Sequence, residues 1–586
     1  MALAALAVAV LPAAASGAPV VVAWGNNTYG QLGDGTTTAK ASPVEVKGLG
    51  KVTAVAAGSA ADSFALGRDG TVVAWGNEEG GALGNGVLGN RGAHTTAPVP
   101  VTGLTKVKEI ATGGLHSLAL LRDGTVMTWG SSDLGNGSSK GSTVPVPVEG
   151  LSGVTALATG TEFSLVLLSD GTVEAWGQDD EGQLGDGSCC HTYAPAPVPG
   201  LSGVVEIAAG AEHALARLAD GTVMAWGSNR AGQLGVPAGE CPERCRTPHP
   251  STPSGVAQVK ALNGTSLARL GDGTVLSWGQ NGGGALGRGQ VTVGTGTPRP
   301  VVAVEGAQAL ATGSGGGVSG LAVLSSGGLM AWGDDSAGEL GNGIFSAEEF
   351  EGDFAGPVRG IGEVTAVSSG SAFNLALGAP GFEAPPAPTV ASVSGGRGPV
   401  SCGTRIKLRG EHLAGARAVY FDEHPLHPSF YSEIYGKDEV PPRAASFTVN
   451  SDSSLWVVTP AVAEARPSDV RVITSGGPNH VARSDRFSFY PTVTSIEPSS
   501  GPSAAETEVT ITGKGFSTGF TGTASGTEPD TEVRFGSARS RTVHCPSPTS
   551  CTAIAPAHEP GTVAVSVIAN KVPSARNGAL QFTYTP

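Results

Sequence analysis

Aromatic side chains make up only 5% of the chain and charged ones 15%. A sequence so poor in Glu, Lys and large apolar residues has little material for long amphipathic helices. Beyond the N-terminus it has no run of the ~18 apolar residues that a membrane-spanning helix needs, so no membrane span is expected. Cations are scarce: 35 Lys and Arg face 50 Asp and Glu, a net charge of −15. None occurs from Gly141 to Ala216 or from Pro300 to Val358. Residues 1–380 hold 32 acids and 18 cations, whereas residues 381–586 hold 18 and 17, so the acidity belongs to the N-terminal two-thirds. An acidic surface repels phosphate backbones, which argues against nucleic acid as a partner. A protein or surface ligand of basic character fits better.

What is abundant is glycine, with 90 residues, about twice the usual share of ~7%. Turns separate short stretches of Val, Thr and Leu, which reads as all-β. A length of 586 residues is too great for one core, so domains or a repeat array are expected. Met1 to Ala18 is an Ala-rich apolar run, with small-residue cleavage patterns at Ala13-Ala14-Ala15 and Ser16-Gly17-Ala18. It reads as a secretory signal peptide that lacks the basic n-region, and it predicts a secreted or cell-surface protein.

The strongest pattern is a repeat. Trp-Gly recurs at Trp24, Trp75, Trp129, Trp176, Trp226, Trp278 and Trp332, 47 to 54 residues apart. Asp-Gly precedes five of these pairs, at Asp69, Asp123, Asp170, Asp220 and Asp272, and marks a tight hairpin. Leu-Gly-Asp-Gly or a variant follows most of them, as at Leu32–Gly35, Leu83–Gly86 and Leu340–Gly343. A Pro-Val strand comes next, then a strand of small residues such as Ala111-Thr112-Gly113. Four strands per repeat predict propeller blades, the small-residue strands crowding the axis. Trp24 has no hairpin upstream, and Phe373–Leu377 has no Trp-Gly downstream. Joined, they predict a seventh blade closed from both termini. The seven Trp residues are structural candidates.

These repeats resemble those of the regulator of chromosome condensation family over residues 19–379. The resemblance implies a seven-bladed β-propeller. It leaves function open, because that family includes nucleotide exchange factors, light sensors and secreted bacterial binding proteins. Residues 380–389 form a Pro-rich linker. Two further repeats follow, at 390–491 and 492–586. The second has Val493–Ile496, Gly501-Pro502, Thr507–Phe516, Val533–Gly536 and Leu580–Tyr584; the first has looser counterparts and an insert around Pro425–Pro442. Both resemble IPT/TIG domains, immunoglobulin-like β-sandwiches.

Catalytic sets are hard to find. Gly137–Gly141 has nucleophile-elbow spacing but lies between strands. His116 and His213 occupy one repeat position, shared with Asp62, Phe163 and Phe373, which suggests packing or hydrogen bonding within a blade. Acids follow Trp-Gly at Glu78-Glu79, Asp179-Asp180-Glu181 and Asp334-Asp335, without calcium-loop spacing. Asp179, Asp180, Glu181, Asp334 and Asp335 are therefore candidates for an acidic binding rim. Of seven Cys, Cys545 and Cys551 are expected to bridge. At least one bridge is expected among Cys189, Cys190, Cys241 and Cys245, with free thiols or a metal site as alternatives there; Cys402 is left over. The expectation is a non-enzymatic, monomeric binding or scaffold protein without cofactor or metal. An exchange factor for a small GTPase is the rival reading.

Overall fold

The computed structural model describes residues 18–237, 239–289, 294–313, 319–345, 354–381, 383–423, 442–480, 482–518, 520–523, 526–529, 531–575 and 580–586. The expected leader, apart from Ala18, and nearly all of the Pro425–Pro442 insert lie outside them. The chain divides into two compact units at Pro385/Pro386.

The first unit is a ring of seven antiparallel sheets, numbered here by their Trp residues from blade 1 (Trp24) to blade 7 (Trp332). Blade 3 is representative: Val107–Thr112, His116–Leu121, Val126–Gly130 and Ser142–Pro147, paired in sequence order. First strands of adjacent blades pack against one another and line the axis; only their last residues are consistently small, as in Ala56-Ala57, Ala111-Thr112 and Ala208-Ala209, while Val, Ile, Glu and Lys occur among the rest. Blade 1 is assembled from both ends of the unit. Val20–Gly25 pairs antiparallel with Phe373–Pro380, with Trp24 opposite Asn374. Closure leaves the terminal strands without a free edge.

Each blade is tied to its neighbours by side chains. All seven Trp rings are fully buried. Six donate their indole N–H to a loop carbonyl of the preceding blade, from Trp75 to Gln31 (2.8 Å) round to Trp24 to Glu339 (2.7 Å). In blade 6 Ser266 Oγ donates to the equivalent carbonyl, Gln233, and Trp278 Nε1 has no partner among the described residues. The ring lies so close to the preceding loop that only glycine fits there. A Cβ on Gly341 would stand 2.9 Å from Trp24 Nε1, and its φ is +63°.

A second set of ties runs the other way, and here the reading of the histidines needs correction. His116 Nε2 meets Ser164 Oγ at 2.6 Å and His213 Nε2 meets Ser266 Oγ at 2.9 Å, each in the next blade rather than its own. Asp62 accepts from Thr112 of the next blade in the same way. Burial lowers both imidazoles to pKa about 4 and raises the Asp62 carboxyl to about 7, so near-neutral forms sit in the ring.

The second unit contains two sandwiches with one topology. In the first, Thr389–Val393, Arg405–Glu411, Ser454–Val458 and Ser446–Ser451 form one sheet. In the second, Thr492–Glu497, Thr507–Lys514, Ser550–Ala555 and Val543–Ser547 form its counterpart. Phe421, Phe487 and Phe489 pack edge-to-face in the first core, as do Phe535, Phe582 and Tyr584 in the second. The two are joined at Ala465, whose N–H donates to the Gly515 carbonyl and whose carbonyl accepts from the Asn570 side-chain amide.

Candidate interaction surface

Antiparallel pairing sorts the connections of every blade onto two faces. In blade 3 His116, which opens the second strand, lies opposite Gly130, which ends the third; Ser142, which opens the fourth, also lies opposite Gly130. The first-to-second and third-to-fourth connections therefore emerge on one face, called here the loop face. The Asp-Gly hairpins and the connectors between blades emerge on the other, the hairpin face.

On the hairpin face five blades turn identically. In each, an Asp carboxylate accepts the N–H of the Thr two residues on: Asp69, Asp123, Asp170, Asp220 and Asp272. These bonds hold all five carboxyls below the usual range, so they are ionised.

The loop face carries the predicted acidic rim, but two of its five acids are buried. Asp179 accepts the Leu184 N–H and the Ser188 hydroxyl, and Asp335 accepts the Leu340 N–H. Asn27, Asn229 and Asn281 make the same bond in other blades. The position needs a carbonyl-type oxygen, not a charge, and burial raises the Asp179 pKa above its ordinary value. Asp179 and Asp335 thus brace their loops and do not belong to a contact surface. Glu181 is paired with Arg230 (2.8 Å) and Arg244 (3.8 Å) of blade 5. Asp180 is exposed, and its carbonyl accepts from Arg244. Asp334 is partly exposed in blade 7, three blades away. The five acids do not form one site.

What the sequence reading missed is apolar. Among the described residues the exposed large hydrophobic side chains are Val87, Leu88, Leu115, Tyr193, Ile344 and Phe345. All six are at the loop face. Leu88 is 71% exposed and Phe345 54%. Val87-Leu88 and Ile344-Phe345 directly follow Leu-Gly-Asn-Gly in blades 2 and 7, which flank the closing blade 1. Their sequence signal was a pair of apolar letters where blades 1, 3 and 4 begin with Ser or Thr. Exposed apolar groups on a rigid scaffold mark contact surfaces.

Both expected bridges are present, and the one among the four propeller cysteines joins Cys241 to Cys245. Cys241–Cys245 closes the loop that breaks the fifth repeat, and Cys545–Cys551 clamps a hairpin. Cys189, Cys190 and Cys402 are exposed thiols. Beside the exposed Cys189 and Cys190, the loops of blades 3 and 4 meet through His191 and Asp133, 2.5 Å apart. His249 lies near Cys241 and Cys245, but sulfurs joined in a disulfide are not thiolate ligands. The elbow-like Gly137–Gly141 is followed by the strand Ser142–Pro147, not by a helix.

Pleating brings Arg405, Lys407 and Arg409 onto one face of the first sandwich, beside Trp456.

Seven four-stranded blades closed by a terminal strand, with variable loops on one face, define a seven-bladed β-propeller. Residues 86–381 match the RCC1-like domain, residues 21–60 the Regulator of chromosome condensation (RCC1) repeat, and residues 491–584 the IPT/TIG domain. The chain belongs to the RCC1-like domain family. It is 37% identical over 123 residues to the human E3 ubiquitin-protein ligase HERC2, a match spanning 20% of this chain and 2% of that protein. It is 32% identical over 120 residues to the ultraviolet-B receptor UVR8 of Arabidopsis thaliana, spanning 20% and 26%. Among solved structures, Prp20p of Saccharomyces cerevisiae superposes with TM-score 0.55 at 24% identity, covering 63% of this chain and 93% of that one. Human WBSCR16 gives 0.53 at 22% identity, covering 62% and 100%. These likenesses show the fold.

Proposed function

We propose that this chain is a non-enzymatic binding protein that acts outside the cytoplasm and engages a protein partner through the loop face of its propeller. The observation that carries the reading is the gathering on that face of the six large apolar side chains that are exposed among the described residues. A rigid ring tied by Trp and His bonds lets the loops vary without cost to the blades. Two disulfides fit an oxidising compartment. Asp180, Glu181 and Asp334 add charge at the rim of the same face, where they steer a partner rather than anchor it.

The test uses the full chain carrying a photo-crosslinker at Phe345 or, as control, at Asp123. The reading expects one protein crosslinked from Phe345 and not from Asp123, and export of the chain to the medium or cell surface. An exchange factor instead predicts retention inside the cell and accelerated nucleotide release from a small GTPase; either result replaces the reading.

A further inference from the structure

The outer face of the first sandwich holds a row of cations in an otherwise acidic protein. Along Arg405–Glu411, Ile406 and Leu408 are buried in the core, while Arg405 and Arg409 are exposed and Lys407 is partly so. Neighbours in the row are two strand residues apart, about 6.7 Å, so the three span about 13 Å. Trp456 lies opposite Lys407 on the adjacent strand. The Arg405 guanidinium carbon is 4.4 Å from the centre of the indole, and Lys407 Nζ is 5.7 Å from it. Hydroxyls flank the row: Thr448 pairs with Trp456, Ser446 with Val458 and Ser392 with Arg409. No carboxylate pairs with Arg405, Lys407 or Arg409 among the described residues, and Glu411 ends the row.

We propose that this face binds an acidic polysaccharide through sulfate or carboxylate groups on its sugars. Stacking on Trp456 fixes Arg405 flat and leaves its N–H edge outward, in the fork geometry that matches a planar or tetrahedral oxyanion. A side chain already held by stacking loses less freedom when it binds. Lys407 and Arg409 offer the next two charges in line. Ser392, Ser446 and Thr448 can bond the sugar hydroxyls between them. Charge density decides against a nucleic acid. Duplex DNA carries a charge about every 1.7 Å, far more densely than three cations spread over about 13 Å can match. A polymer with about one charge per sugar needs only a short basic row. This site is independent of the loop face of the propeller.

The test is titration of the full chain at low salt with heparin (sulfated), polygalacturonate (carboxylated), dextran (neutral) and a single-stranded oligonucleotide. The proposal expects binding to at least one acidic polysaccharide and none to dextran, and the heparin and polygalacturonate arms tell which group is read. The triple variant Arg405→Ser, Lys407→Ser, Arg409→Ser should weaken binding by about tenfold or more and flatten its salt dependence, because three charge contacts are gone. Its melting temperature should match the parent's. Trp456→Phe should keep most of the affinity and Trp456→Ala should lose several-fold of it. No binding to either acidic polysaccharide, unchanged affinity in the triple variant, or tighter binding of the oligonucleotide than of both would overturn the proposal.

Discussion

On the hairpin face of the propeller five blades turn through the same Asp-Gly-Thr, each carboxylate holding the Thr two residues on. On the loop face the connections differ in length, charge and apolar content, yet they start from the same Trp-Gly, and five of them pass the same Asn or Asp brace. The hairpin face has no freedom to vary, because a two-residue turn fixes its own residues. The loop face is free beyond the brace, since the Trp bond and the Asn or Asp bond already satisfy the backbone on which the ring depends. Variation, exposed apolar groups and the Cys241–Cys245 closure all collect there. One repeat thus yields a structural face and a recognition face.

The largest test breaks the ring on which both faces rest. Deleting residues 1–26 removes the strand Val20–Gly25, its pairing with Phe373–Pro380 and the Trp24 bond to Glu339. Stability of the propeller should fall by several kcal/mol, on the order of 5. Thermal or urea denaturation checks this, and a stability equal to the parent's would refute terminal closure.

A smaller change sharpens the distinction between brace and charge. Glu339 stands where blades 1, 4 and 5 have Gln31, Gln183 and Gln233, and like them it accepts the N–H two residues back. Burial, helped by Asp334 and Asp335, raises its pKa to about 8 from a usual 4.5. The folded state therefore binds a proton that the unfolded state releases between those values. The stability tied to neutral Glu339 is complete below pH 4.5 and is lost as pH rises through about 8. Asp62, raised to about 7, acts in the same direction. His116 and His213, lowered to about 4 from 6.5, act oppositely and cost stability as pH falls through that range. Glu339→Gln should leave stability near pH 5 unchanged and gain on the order of 1–2 kcal/mol at pH 9. Melting curves at the two pH values check it. A loss at both would mean that the carboxylate itself is required.

Asp123→Ala should lower the melting temperature by less than either of these changes shifts it, because Asp123 is fully exposed and its bonds to Thr125 are local. Replacing Val87, Leu88, Ile344 and Phe345 by Ser should not lower it at all, since these side chains contribute little to the core.

The spacing of Trp-Gly and Asp-Gly carried nearly all of the architecture, including the closing blade, because both motifs sit at fixed places in a four-stranded unit. The acids misled because charge in a sequence does not tell a rim from a brace. The clue was present: Asn27, Asn229 and Asn281 alternate with Asp179 and Asp335 at one repeat position. A position that accepts Asn and Asp alike uses an oxygen rather than a charge. Arg405, Lys407 and Arg409 were overlooked because buried Ile406 and Leu408 separate them, so they form no run of like charge. Only the period of two in a strand brings them together. The bonds from His116 and His213 into the next blade were not legible, since they depend on how blades pack and not on any local pattern.

The most direct test of the two-face account compares two full-length variants against the partner recovered by crosslinking from Phe345. One replaces Val87, Leu88, Ile344 and Phe345 of the loop face by Ser; the other replaces Asp69, Asp123 and Asp170 of the hairpin face by Asn. The account predicts that the first loses at least about 1.4 kcal/mol of binding, a tenfold change in affinity, while the second binds as the parent does. Equal binding by the loop-face variant, or loss confined to the hairpin-face variant, would contradict it.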